Sequence, residues 1–235
     1  MFDGFTEETI QFFLDLKFHN NSEFFHQHHD RYLEVVQKPF YELITDLAPA
    51  MKTIDPNMEI RPYKCLSRIH RDTRFSRDKS PYRDHLWFIF RREGEPREKS
   101  LMYYFEMGIN RLDWGLGFWG ENREVLDLFR KKMAANPDGT LALIDDLELD
   151  QRNMMLNGSA FKRLPVPLEI PQRLRRWYCS KEMFISKISP SFPMVFTDKV
   201  LQEVRTDFQC LAPLYRLLRG YFDQYAEETG SKGVK

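Results

Sequence analysis

The sequence predicts an α+β domain in which helices from both ends of the chain pack on a central, mostly antiparallel sheet built from about residues 59–119. Three observations carry this expectation. Apolar residues recur at helical spacing through the N-terminal third, give way to strict alternation between Leu86 and Glu106, and return to helical spacing over 121–133 and again over 200–222.

Thr6 followed by Glu7 and Glu8 marks a helix start, a hydroxyl cap with acids at the positive end of the dipole, and the helix is expected to reach about Lys17. Ser22 and Glu23 repeat the signal. Apolar residues at 24, 25, 28, 32, 35, 36, 40, 43, 44 and 47 then keep one face to Leu47, with a kink predicted at Pro39 and an end at Pro49 and the Asp55-Pro56-Asn57 turn. Leu86, Phe88 and Phe90 alternate with His85, Trp87 and Ile89, and Leu101, Tyr103 and Phe105 with Met102, Tyr104 and Glu106. Two strands follow, joined by the polar 92–100 loop as a hairpin. Gly115 and Gly117 predict a third strand where backbone approaches backbone or ligand, and an ordinary bulge fits the same residues.

Helical spacing over 121–133 stops at Asn136-Pro137-Asp138-Gly139, and a short helix is expected from Thr140 to Leu147. Residues 150–170 read as irregular, Pro171 opens a helix to Tyr178, and 183–188 adds a weak strand. Thr197 caps the last helix, whose stripe runs from Val200 to Phe222 with a kink at Pro213. No internal repeat or long linker divides the chain, so one domain is expected over 1–225, with a disordered tail over 226–235.

Bulk properties count against several classes of function. Among 235 residues, 35 basic and 35 acidic side chains cancel, which leaves no long-range field to draw the protein onto nucleic acid or an anionic membrane. No apolar run approaches the ~20 residues of a membrane span, and the Met1-Phe2-Asp3-Gly4 start lacks the pattern of a signal peptide, so a cytoplasmic location is expected. Cys65, Cys179 and Cys210 are isolated, which supports neither a disulfide framework nor a cysteine-based zinc site. His26 and His29 could share an ion from one helix face, but no carboxylate or further histidine at helical spacing completes a set, and no metal is predicted. Phosphate loop, dinucleotide fingerprint and nucleophile triad are all missing. Cofactor, oligomeric state and whether the protein is an enzyme therefore stay open.

Charge is concentrated in one place. From Arg61 to His85, eight Lys or Arg stand against three Asp, a local excess of about +5 in a neutral chain. Guanidinium forks grip carboxylate or phosphate through paired hydrogen bonds, so Arg68, Arg71, Arg74 and Lys79 are candidates to line a pocket for a small anionic, even phosphorylated, ligand. Asp72 would orient an arginine, Phe75 would wall the cleft, Tyr82 would offer a hydroxyl, and Lys162 and Arg163 could join from a distant loop. The same residues also fit an ion-pair network that fixes a loop, or a solvated face. Aromatics interleaved with arginines further fit a module that holds an acidic protein segment or single-stranded nucleic acid, although the zero net charge counts against the latter. For proton transfer in a hydrolase or transferase the candidates are Asp72, Asp84, His70, His85 and Glu106, with Asp72 or Glu106 as base. Asp84 and His85 are adjacent, so within one strand they would point to opposite faces and could not pair.

The pattern Arg68-x-x-Arg71-Asp72-x-Arg74-Phe75-x-x-x-Lys79-x-Pro81-Tyr82 resembles the signature of an uncharacterised family of bacterial and fungal proteins, domain of unknown function 2461. Asn20-Asn21 before Phe24-Phe25, then His28, Tyr32, Pro39, Tyr103-Tyr104, Gly115-x-Gly117 and Phe161-Lys162-Arg163-x-Pro165 extend the resemblance over nearly the whole chain. The resemblance implies a single domain of about this length. It supplies no activity, substrate or cofactor.

Overall fold

The first helix begins where its hydroxyl and two acids predict: α1 spans Glu7–Phe18, and the Thr6 N–H donates to Thr9 Oγ1 at 3.2 Å. The structure, a computed structural model, describes residues 1–118, 120, 122–188 and 190–228. In α2 (Ser22–Gln27) the cap is Asn21, whose Oδ1 accepts the Phe24 N–H at 2.9 Å. The apolar stripe continues through α3 (His29–Tyr32), a π-helical turn over Leu33–Gln37 and α4 (Lys38–Ile54). The break predicted at Pro39 takes the form of this widened turn just before it. Proline brings no N–H and its ring crowds the carbonyl four residues back, here that of Val35. Thr9 Oγ1 donates to that carbonyl at 2.6 Å.

Pro49 does not end α4, contrary to the sequence expectation. Met51 and Ile54 stay buried on the same face, while Thr45, whose carbonyl loses its partner at Pro49, is exposed and within reach of water. A one-turn helix, α5 (Pro62–Cys65), follows.

Five strands, β1 (His85–Phe90), β2 (Leu101–Gly108), β3 (Arg111–Phe118), β4 (Met154–Asn157) and β5 (Phe184–Lys187), form an antiparallel sheet in the order β1-β2-β3-β5-β4. The sheet thus recruits two strands from outside 59–119. β4 lies in the stretch expected to be irregular, because four residues with one buried member carry almost no alternation. Close backbone approach at the glycines is observed. Gly115 pairs with Ser186 and Gly117 with Phe184, and a Cβ on Gly115 would fall 1.8 Å from the Ile185 carbonyl oxygen.

In the C-terminal half, α6 (Arg123–Ala135) is followed directly by α7 (Pro137–Asp146), which starts three residues earlier than predicted. Asn136 Oδ1 caps it by accepting the Gly139 N–H at 3.0 Å, and Pro137 occupies the first helical position. A 3-10 turn at Gln172–Leu174 leads into α8 (Arg175–Tyr178). The expected kinked helix is two helices, α9 (Lys199–Cys210) and α10 (Ala212–Glu228), parted at Leu211 with Pro213 in the first turn of α10. Of the expected tail, 226–228 belong to α10 and 229–235 lie outside the described residues.

Contacts gather the described chain into two compact units. One comprises Met1–Phe90, Tyr104–Trp114 and 190–206. Its core is aromatic: Phe105 stacks on Phe88 at 5.2 Å between centroids and meets Phe40 and Trp114 at 6.2 and 6.4 Å. The other unit comprises Arg91–Tyr103, 115–188 and 207–228. There Tyr103 packs on Phe208 and Tyr215 at 4.9 and 5.4 Å, and Phe129 on Tyr221 at 6.2 Å. Each such ring stabilises by about 1.5–3 kcal/mol on burial. Among the described residues no helix is long and apolar enough to cross a membrane.

Candidate functional site

Residues 68–82 form a tongue whose two legs are tied together and whose tip stands in solvent. The His70–Tyr82 bridge, the Arg71 N–H to Pro81 carbonyl bond at 2.8 Å and the Arg83 N–H to Ile69 carbonyl bond at 2.9 Å join the legs. Asn20 holds them from α2's side of the unit: its Nδ2 donates to the Tyr82 carbonyl at 3.0 Å and its Oδ1 accepts the Tyr82 N–H at 2.9 Å. The Tyr82 ring is buried and stacks on Phe25 at 4.4 Å. Arg83 donates to the Arg68 carbonyl at 3.0 Å and to that of His70, and its guanidinium lies 4.8 Å from the Trp87 ring centre.

At the tip the charges neutralise one another in neighbouring pairs. Arg71 donates to Asp78, and Arg74 grips Asp72 with two bonds, Nε to Oδ1 at 2.9 Å and Nη2 to Oδ2 at 2.6 Å. Lys79 Nζ donates to the Thr73 carbonyl at 2.9 Å. The Arg74 hydrogen bond holds the Asp72 carboxyl down at about 2, which makes it a poor proton acceptor, and Arg71 holds Asp78 well below the usual carboxylate range. Phe75 is 95% exposed, with the Arg74 guanidinium 5.8 Å from its centroid, and Arg68 is exposed as well. One tongue therefore carries Arg68, Arg71, Asp72, Arg74, Phe75, Lys79 and Tyr82, with Phe75 standing in solvent rather than walling a cleft and the Tyr82 ring buried at the base. Lys162 and Arg163 belong to the other unit, on the exposed segment after β4.

A second constellation lies on the strands of the same unit. His85 Nδ1 is 2.9 Å from Asp84 Oδ1 and its Nε2 is 3.4 Å from Glu106 Oε1 on β2. The expectation that Asp84 and His85 cannot pair fails because β1 begins only at His85, so Asp84 is not bound by strand alternation. Arg111 Nη1 donates to Glu106 at 2.7 Å, the pairing that accounts for a carboxylate on an aromatic strand, and Lys17 Nζ lies 3.8 Å from Asp84. Asp113 accepts the Tyr104 hydroxyl at 3.0 Å, while its Oδ1 is buried with no hydrogen-bond partner among the described residues. Burial, with the Glu106 charge adding to it, pushes the Asp113 carboxyl up to about 6. Sequence reasoning passed over Asp113 and placed Tyr104 on a strand without giving it a role. Their signal was alternation, since Asp113 sits between Leu112 and Trp114 as Tyr104 sits between Tyr103 and Phe105.

His28 packs as its place on the stripe predicts, stacked on Phe24 at 4.2 Å. Among the described residues no group of three or more His, Cys, Asp or Glu is disposed to hold a metal ion.

No curated protein matches the chain. The model of the family described as a conserved hypothetical protein (DUF2461) matches residues 8–217, most of its length, and the chain belongs to that family.

Proposed function

We propose that the protein is an interaction module that docks an acidic segment of a partner protein on the 68–82 tongue. The observation that carries this reading is Phe75, 95% exposed at the tip of a tongue whose base is fastened at Asn20, Tyr82 and Arg83. A large aromatic ring held in water beside Arg74, on a tongue that also carries Arg68, Arg77 and Lys79, has the composition of an interface anchor, in which aromatic and arginine side chains dominate. The fastened stem reduces the ordering cost of binding. Five basic residues against two acidic ones over 68–79 leave the tongue at about +3, which favours an acidic partner.

The test is titration of a fluorescent Glu- and Asp-rich peptide carrying one Trp into the full chain at low salt. Binding in the range of about 1–100 μM is expected, weakened about tenfold or more by Phe75→Ala and by Arg74→Glu without change in the melting temperature. No saturable binding, or equal binding by both variants, overturns the reading. A single-stranded oligonucleotide in place of the peptide, with a steep log-log salt dependence, would reassign the tongue to nucleic acid.

A small anion seated among Arg68, Arg71, Arg74 and Lys79 is the second reading. Asp72 favours it, because the fork it makes with Arg74 is the one a ligand carboxylate would take over on displacing it.

A further inference from the structure

In the unit that contains α6 and β5, Arg123, Arg130, Lys181 and Phe161 line a cavity of about 210 Å³. Three cationic side chains, two from α6 and one from the stretch before β5, converge there with one aromatic ring. Arg130 is the buried member: its side chain is 9% exposed, its Nη1 donates to the Ser180 carbonyl at 2.9 Å, its Nη2 donates to Asp127 at 2.5 Å, and its guanidinium lies 5.5 Å from the Phe161 ring centre. Arg123, at the first position of α6, reaches the same Asp127 carboxylate at 3.6 Å through Nε and is otherwise open to solvent. Asp127 is itself more than half exposed, so it answers two guanidinium groups from the solvent side.

The start of α6 adds a second observation. Asn122 is buried at 6% exposure, caps no helical N–H with its side chain, and carries an Nδ2 donor with no hydrogen-bond partner among the described residues. First-turn N–H groups that the Asn122 side chain does not cap, and an amide donor without a partner among the described residues, stand at the same helix end that supplies Arg123. Donors and positive charge therefore accumulate where a negative group would satisfy them.

We propose that this cavity is a binding site for a small organic anion, its phosphate or carboxylate head held between Arg123, Arg130 and Lys181 and its body laid against Phe161. Guanidinium forks suit both head groups, and the Arg130–Phe161 stack offers a flat apolar wall beside them. Size sets the class. At roughly 30 Å³ per water, 210 Å³ is the room of about seven waters, enough for an anionic head and a small ring or short chain and below the roughly 300–1,000 Å³ of pockets that enclose drug-sized molecules. The site is separate in sequence from the tongue and does not rest on the tongue's proposed partner.

The experiment is calorimetric titration of the full chain, in a buffer free of polyvalent anions, with inorganic phosphate and then with benzoate. Saturable one-site binding of at least one probe is expected, weakened about tenfold in Arg123→Gln, whose exposed side chain can be changed without disturbing the fold. Phe161→Ala is expected to weaken benzoate and spare phosphate. Arg130→Lys keeps the charge and removes the fork, and should lose most of the carboxylate binding; its unfolding midpoint separates lost binding from lost fold. If neither probe binds saturably, or if Arg123→Gln and Lys181→Gln bind both as the wild type does, the proposal is overturned. Benzoate binding that Phe161→Ala leaves unchanged overturns the placement of the ligand body.

Discussion

Thr9 Oγ1 donates a 2.6 Å hydrogen bond to the carbonyl of Val35, the residue four positions before Pro39. An uninterrupted α-helix would pair that carbonyl with the N–H that proline lacks, so a fully buried hydroxyl on α1 answers a defect in the following helices. Thr9→Val keeps the shape and removes the donor. A loss of about 1–3 kcal/mol is expected in urea unfolding, against about 1 kcal/mol for Thr9→Ser, which keeps the hydroxyl. Equal losses for the two would show that packing, not the hydrogen bond, is what Thr9 contributes.

Asn20 answers both the N–H and the carbonyl of Tyr82 at the base of the tongue. Asn20→Ala leaves two backbone groups beside a buried ring to find new partners, and should cost about 2 kcal/mol while loosening the tongue. Hydrogen exchange at Tyr82 and Arg83 should accelerate well beyond exchange in α4. Uniform acceleration would mean that Asn20 supports the whole unit rather than the tongue.

Two glycines should respond in opposite directions to alanine. Gly115→Ala places a methyl 1.8 Å from the Ile185 carbonyl oxygen and forces β3 away from β5, for a loss of about 3 kcal/mol or more. Gly220 is exposed within α10 and a Cβ there meets nothing within 4 Å, so Gly220→Ala should add about 0.5–1 kcal/mol. Thermal unfolding of the pair checks both signs at once.

Asp113 should set part of the pH dependence of stability. Its folded carboxyl titrates near 6, above the ordinary value of 3.8, because burial disfavours the charge. Between those values the folded state binds more proton than the unfolded one, so this group's contribution falls as pH rises from about 4 to about 6. Asp113→Asn keeps an acceptor for the Tyr104 hydroxyl and removes the charge. It should raise stability at pH 7 by about 1–2 kcal/mol, after discounting for partial exposure, and leave stability at pH 4 nearly unchanged. A gain of the same size at pH 4 would place its origin in packing. Glu59 runs the other way: hydrogen bonds from Arg61 hold it down to about 2, so its contribution is present above 4.5 and is lost as pH falls toward 2.

Local chemistry made much of this protein legible. The helix start after Thr6, the hairpin of β1 and β2, and the close approach at Gly115 and Gly117 follow from a cap, alternation and missing side chains, each a matter of a few consecutive residues, whereas Pro171 precedes a 3-10 turn and the α-helix expected from it starts only at Arg175. The arginine-rich stretch was legible as a unit for the same reason. Its pairings were not: that Arg74 turns to Asp72 and Arg71 to Asp78 depends on the path of the tongue, and either aspartate could have served either arginine.

What only the tertiary structure decided is which distant groups meet. β4 is a strand because β5 lies beside it, and its four residues carry too little pattern to say so alone. Pro49 continues a helix because the carbonyl it deprives faces water. Asp113 is half-buried with one oxygen that has no partner among the described residues, and Lys181 shares a cavity with Arg123 and Arg130 of α6, through packing that joins segments far apart in sequence. Backbone propensity and hydrophobic period act over one or two turns, so the sequence by itself determined where most helices lie, the β1–β2 hairpin and the charged stretch. Burial and strand pairing are set by chain segments tens of residues apart, and the partner of each charge by the path the backbone takes between them, and these came from the fold.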